Sequence, residues 1–80
     1  MKKQNIGLIG LGPMGQNLTL NMEDKGYSVA VYNRTSSKTE NFANGSAKGK
    51  NILPAYSLEE FVNSLEIPRK MILLQNLSLY

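Results

Sequence analysis

The chain has 80 residues and a formal net charge of +3, nine lysines and arginines against six aspartates and glutamates, and 41% of it is hydrophobic. That length makes one small globular domain, burying about 60–65% of its extended-chain surface, and its mild, scattered positive charge lacks the aromatic interleaving of a nucleic-acid binder. With no cysteine and no histidine, disulfide and thiolate chemistry are excluded, and the usual near-neutral base and commonest metal ligand are missing.

The start, Met1-Lys2-Lys3-Gln4-Asn5, is basic, but the apolar run behind it is short and broken by Gly7. It fits neither a signal peptide nor a membrane span, so a cytoplasmic protein with no membrane partner is expected. Ile6-Gly7-Leu8-Ile9 reads as a short buried strand. Gly10-Leu11-Gly12-Pro13-Met14-Gly15 follows, with the spacing Gly-x-Gly-x-x-Gly of a dinucleotide-binding turn. Gly10 permits the tight turn, Gly12 lets the backbone approach a pyrophosphate, and Gly15 lets the next helix lie close to the strand. That helix is expected from Pro13 or Met14 to Lys25, with Met14, Leu18 and Met22 on its apolar face and Gly26 ending it in a left-handed conformation. Its N-terminus would aim unpaired N–H groups and a partial positive charge at phosphates.

Tyr27-Ser28-Val29-Ala30-Val31-Tyr32 reads as a second parallel strand, with Asn33-Arg34-Thr35 at its ligand-facing end. A weaker helix is expected from Ser36 to Asn44, opened by a capping box of Ser37 and Glu40 and anchored by Phe42. After a polar loop carrying Lys48 and Lys50, Ile52-Leu53-Pro54-Ala55 reads as an edge strand, because proline cannot donate to a ladder. Ser57-Leu58-Glu59-Glu60 is a second capping box, and Leu58, Phe61, Val62 and Leu65 continue it as an amphipathic helix. Pro68 closes it. Lys70-Met71-Ile72-Leu73-Leu74 is a continuous apolar run suited to an inner parallel strand.

The order β-α-β-α-β-α-β implies an α/β fold, a Rossmann-like half-domain with a parallel sheet in the order 3-2-1-4. The last strand is left with an open edge, and one face of the sheet has one helix to cover it. At the end of the second strand, NAD- and FAD-binding folds usually carry an acidic residue for the ribose hydroxyls. Here Asn33 is uncharged and Arg34 can pair with a 2′-phosphate and stack on adenine. Thr35 adds a hydroxyl and Lys38 a second cation, so NADP is the expected cofactor.

Four stretches carry a family resemblance. Gly7 to Leu18 with Asn21-Met22 resembles the N-terminus of the β-hydroxyacid dehydrogenases. Val31-Tyr32-Asn33-Arg34-Thr35 with Lys38, Ser57 to Val62, and Pro68 to Leu74 resemble, within that group, decarboxylating 6-phosphogluconate dehydrogenase of the pentose phosphate pathway. The resemblance implies an oxidoreductase fold whose pyrophosphate loop is Gly10, Leu11, Gly12, Pro13, Met14 and Gly15. It places the adenosine 2′-phosphate on Asn33, Arg34 and Thr35. The family oxidises 6-phosphogluconate at C3 by hydride transfer to NADP and releases carbon dioxide, giving ribulose 5-phosphate. Its catalytic lysine and glutamate and its helical dimerisation domain match nothing in these 80 residues, so no catalytic and no metal-binding residue is assigned. Many members have Ala-Val at Gly12-Pro13, and the family continuation Val-Lys-Ala-Gly is replaced by Gln75-Asn76-Leu77-Ser78. Residues 1–74 are therefore expected to form the NADP-binding half-domain and residues 75–80 a tail outside the family pattern. The alternatives are a non-enzymatic module that associates through its open edge strand, and an inert remnant.

Overall fold

The computed structural model describes residues 2–74. Strands and helices alternate as β1 (Ile6–Ile9), α1 (Pro13–Asp24), β2 (Val29–Tyr32), α2 (Ser36–Asn44), β3 (Ile52–Ala55), α3 (Leu58–Asn63) and β4 (Met71–Leu73). The strands form one parallel sheet in the order β3-β2-β1-β4, as expected. In register, Leu8 lies beside Val31 and Ile72, and Ile9 beside Tyr32 and Leu73.

Alternation along the strands builds two cores, because successive side chains point to opposite faces. Leu8, Val29 and Val31 face α1 and α2, packing with Leu11, Phe42, Leu18 and Met22. Ile9, Ala30 and Ala55 face the other way, onto Phe61, Val62 and Leu65 of α3 and the turn after it. One face thus carries two helices and the other α3. Among the described residues β4 stands at the edge of the sheet, not inside it as its apolar run suggested, and on the α3 face its Met71 and Leu73 are 44% and 59% exposed. At the opposite edge, Pro54 sits in β3 as expected of a residue without an N–H.

Three local expectations need correction. Met14 does not belong to the buried face of α1; it is 71% exposed, while Gly15 and Thr19 are buried. Residues four apart on a helix are rotated about 40° beyond a full turn, so a stripe through Leu18 and Met22 drifts off the core by Met14. Tyr27 lies outside β2, which starts at Val29; the residue before, Ser28, exchanges hydrogen bonds with Asn5, its N–H donating to Asn5 Oδ1 at 2.8 Å and its Oγ accepting the Asn5 N–H at 3.0 Å. The Ser37–Glu40 capping box does not form. Helix α2 starts at Ser36 with Thr35 as N-cap and no side-chain cap bond, because the Thr35 carbonyl is already the first acceptor, taking the Lys38 N–H at 3.1 Å.

The box at α3 does form. Ser57 Oγ accepts the Glu60 N–H at 3.0 Å, and the Glu60 carboxylate reaches back one residue further than usual, accepting the Tyr56 N–H at 2.7 Å. Helix α1 ends at Asp24, and Gly26 follows with a φ of +103°. No helix among the described residues is long and apolar enough to cross a membrane. The expected tail at residues 75–80 lies outside the described residues.

Candidate functional site

Each helix follows a parallel strand, so all three helix N-termini gather at the carboxyl edge of the sheet. Open α/β sheets bind their ligands at that edge. The turn from β1 to α1 is held by steric necessity. Gly10 has a φ of +109°, a region that side chains with a Cβ avoid. A Cβ on Gly15 would stand 1.8 Å from the Gly10 carbonyl oxygen, so glycine alone lets the helix begin this close to the strand end. Gly12 is different. Its φ is −72°, and nothing lies within 4 Å of where its Cβ would be, so the space in front of its backbone is open.

The start of α1 is also open. Its N-cap, Gly12, makes no side-chain cap bond, Pro13 opens the helix, and no acidic residue stands in the first turn. The Gln16 N–H bonds the Gly12 carbonyl at 3.0 Å. The earlier N–H groups of Met14 and Gly15 therefore carry the helix's partial positive charge outward. Leu11, between the glycines, is fully engaged: its side chain is 1% exposed, its N–H donates to Asn33 Oδ1 at 2.8 Å, and its carbonyl accepts from Gln16 Nε2 at 2.9 Å.

The second wall is the corner between β2 and α2. Asn33 donates through Nδ2 to the Thr35 carbonyl at 3.2 Å, and Arg34, Thr35 and Lys38 are exposed. Among the described residues neither Arg34 nor Lys38 is within 4.0 Å of a carboxylate; the ion pair present, Glu23 with Lys50 at 3.9 Å, joins α1 to the loop before β3. Gly10, Gly12, Asn33, Arg34, Thr35, Lys38 and Leu74 together line a cleft of about 310 Å³. Six of the expected site residues thus share one cavity. Pro13, Met14 and Gly15 lie in the adjoining first turn of α1, outside the lining, and Leu11 lies in the core. Leu74 is the lining residue that sequence reasoning missed. The order 3-2-1-4 carried the signal, since it brings the end of β4 beside the end of β1, where the Leu74 N–H donates to the Ile9 carbonyl at 2.8 Å.

A larger hollow of about 720 Å³ lies at the other end of the sheet, between Ile6, Met22, Tyr27, Glu66 and Lys70. Lys25 and Gly26, in the turn that ends α1, also line it, and none of its lining residues belongs to the first turn of a helix, whereas the smaller cleft adjoins the starts of α1 and α2.

A family model described as the NAD binding domain of 6-phosphogluconate dehydrogenase matches residues 5–77. The chain belongs to this family. It is 62% identical over 74 residues to the NADP(+)-dependent, decarboxylating 6-phosphogluconate dehydrogenase of Bacillus subtilis, a match that covers 92% of this chain and 16% of that protein. The decarboxylating 6-phosphogluconate dehydrogenase of Synechococcus elongatus is 58% identical over the same share of each. Among solved structures, the 6-phosphogluconate dehydrogenase of Plasmodium falciparum superposes with a TM-score of 0.77 at 44% identity, over 89% of this chain and 15% of that one. That protein has been solved in its apo form, in complex with its cofactor NADP+ and in complex with its substrate 6-phosphogluconate. The chain spans about one sixth of the curated relatives it matches.

Proposed function

We propose that this chain binds NADP+ at the carboxyl edge of its sheet and supplies the cofactor-binding part of a decarboxylating 6-phosphogluconate dehydrogenase. The observation that carries this reading is the single cleft between Gly10 and Gly12 on one side and Asn33, Arg34, Thr35 and Lys38 on the other. Its residues fit the cofactor chemically. The open first turn of α1 offers N–H groups to the pyrophosphate. Arg34 and Lys38 offer two cations to a 2′-phosphate, with Arg34 able to form a bidentate contact. The absence of a carboxylate at Asn33 removes the charge that would repel that phosphate. Met14, exposed at the start of α1, gives the dinucleotide an apolar surface beside the loop.

Held by the turn of Gly10 and Gly12 and the corner of Asn33, Arg34, Thr35 and Lys38, NADP+ would supply the hydride acceptor for the family's oxidative decarboxylation of 6-phosphogluconate. This chain's part is to hold and orient the cofactor; residues 1–74 form that half-domain. The composition supports a cytoplasmic setting with neither nucleic acid nor membrane as partner. Among the described residues the outer edge of β4 has no partner strand, and with Met71 and Leu73 exposed beside it this supports association with further polypeptide through that strand.

A calorimetric titration of the 80-residue chain with NADP+, and with NAD+ as control, tests the reading. Selective binding of NADP+ is expected. A folded chain that binds neither, or binds both equally, would overturn it.

A further inference from the structure

Gln16, half-buried at the end of the first turn of α1, takes two successive carbonyls of the glycine turn. Its side-chain Nε2 donates to the Leu11 carbonyl at 2.9 Å, and its backbone N–H donates to the Gly12 carbonyl at 3.0 Å. The second bond is the ordinary helical one, which almost any residue at this position would make. The first depends on the side chain, because a carbonyl needs a donor and the amide nitrogen of glutamine supplies it.

In a planar trans peptide the N–H stands opposite the carbonyl. Holding the Leu11 carbonyl toward Gln16 therefore turns the Gly12 N–H away from Gln16. Gly12 lines the cleft and Gln16 does not. Packing does not fix this peptide on the Gly12 side, since nothing lies within 4 Å of where a Gly12 Cβ would be. The bond from Gln16 does.

We infer that Gln16 is a positioning residue: its side-chain amide holds the Leu11 carbonyl back from the cleft and so presents the Gly12 N–H to an anion there. The inference rests on the proposed NADP+ site and adds to it a residue outside the cleft lining. Turned over, the same peptide would offer the cleft a carbonyl oxygen in place of an N–H, the wrong end of the dipole for a pyrophosphate.

Gln16→Met and Gln16→Glu, made in the full chain, are titrated by NMR with three ligands: NADP+, NAD+ and adenosine 2′-monophosphate, which has the 2′-phosphate but no pyrophosphate. Methionine is close to glutamine in length and has no donor. Gln16→Met should weaken NADP+ and NAD+ by the same factor, about threefold to tenfold for one lost hydrogen bond, and leave adenosine 2′-monophosphate within about twofold. Gln16→Glu sets a carboxylate against the Leu11 carbonyl and should weaken both dinucleotides by about tenfold or more. Its charge near the start of α1 suits the helix dipole, so the unfolding midpoint should stay close to that of the wild type. Where Gln16→Met folds poorly, the ratio of dinucleotide to adenosine 2′-monophosphate affinity in Gln16→Glu decides. Wild-type affinity for both dinucleotides in Gln16→Met overturns the inference and leaves the NADP+ site standing. So does an equal loss of all three ligands, which would make Gln16 a general support of the fold. A folded wild-type chain that takes up none of the three overturns the NADP+ site itself.

Discussion

Helices α1 and α2 begin at the same edge of the sheet as α3 but are finished differently. The N-terminus of α3 is closed by its own sequence: Ser57 Oγ takes the Glu60 N–H, and Glu59 and Glu60 place negative charge in the first turn. At α1 and α2 the N-cap residues, Gly12 and Thr35, make no side-chain cap bond, and neither first turn contains an acid. Every helix start has unpaired N–H groups and a partial positive charge. The helix starts left open are the two that border the cleft, which is what the proposed NADP+ site requires of them.

The largest effect is expected at the turn that lets α1 open onto the cleft. Gly15→Ala adds only a Cβ, but that atom would fall 1.8 Å from the Gly10 carbonyl oxygen, a clash with backbone that no rotamer relieves. The cost should reach about 3 kcal/mol, the upper part of the overpacking range, against a total stability of about 4–12 kcal/mol for a domain of this length. Thermal denaturation followed by circular dichroism should show a lowered midpoint or no cooperative transition. Gly12→Asp is the opposite experiment. The Gly12 backbone is extended and the space around it open, so an aspartate there can cap α1 and raise stability by a few tenths of a kcal/mol. The same carboxylate would face the pyrophosphate, and NADP+ binding should weaken by about 3–4 kcal/mol, the scale of like charges about 4 Å apart near a protein surface. A Gly12→Asp variant that binds NADP+ as tightly as the wild type would show that α1 does not meet the phosphates.

The glycine turn is legible in the sequence because its requirements are steric and admit one residue. Gly10 and Gly15 cannot be replaced without moving backbone, so the letters and the geometry coincide. The strand order was legible for a similar reason: crossover handedness leaves few arrangements for alternating strands and helices. Side-chain roles were harder to read. Ser37 and Glu40 have capping-box spacing as surely as Ser57 and Glu60 do, yet only the second pair caps, because Asn33, held by the Leu11 N–H, bonds the Thr35 carbonyl and makes Thr35 the N-cap of α2. Met14 matched an apolar period but stands in solvent. Nor does any local pattern disclose that Asn33 commits its amide to Leu11 and Thr35, or that Leu74 completes the cleft, since both depend on strands brought together from distant positions.

Arg34→Ala removes the chief cation from the open corner of α2. NADP+ should weaken by about 1.5–3 kcal/mol, the range for a hydrogen bond to a charged group, or roughly tenfold to a hundredfold. NAD+ should change little, since it lacks the 2′-phosphate. Raising the salt concentration should weaken NADP+ more in the wild type than in the variant, because exposed charges are screened. Equal loss of both cofactors would place Arg34 on the adenine or the pyrophosphate instead.

The smallest effect is expected at the closed helix. Ser57→Ala deletes the acceptor of the Glu60 N–H and should cost about 1 kcal/mol, typical of a lost N-cap, or about 4–8 °C in the unfolding midpoint for a domain of this size. The Glu60 carboxylate keeps its bond to the Tyr56 N–H, so the helix should fray at its first turn rather than unwind. Helix α3 packs on the face of the sheet opposite α1 and α2, and Ser57 does not line the cleft. NADP+ affinity measured well below the midpoint should therefore match the wild type. A loss of affinity at that temperature would mean that the capped helix also answers to the ligand, and the division between one closed and two open helix starts would not hold.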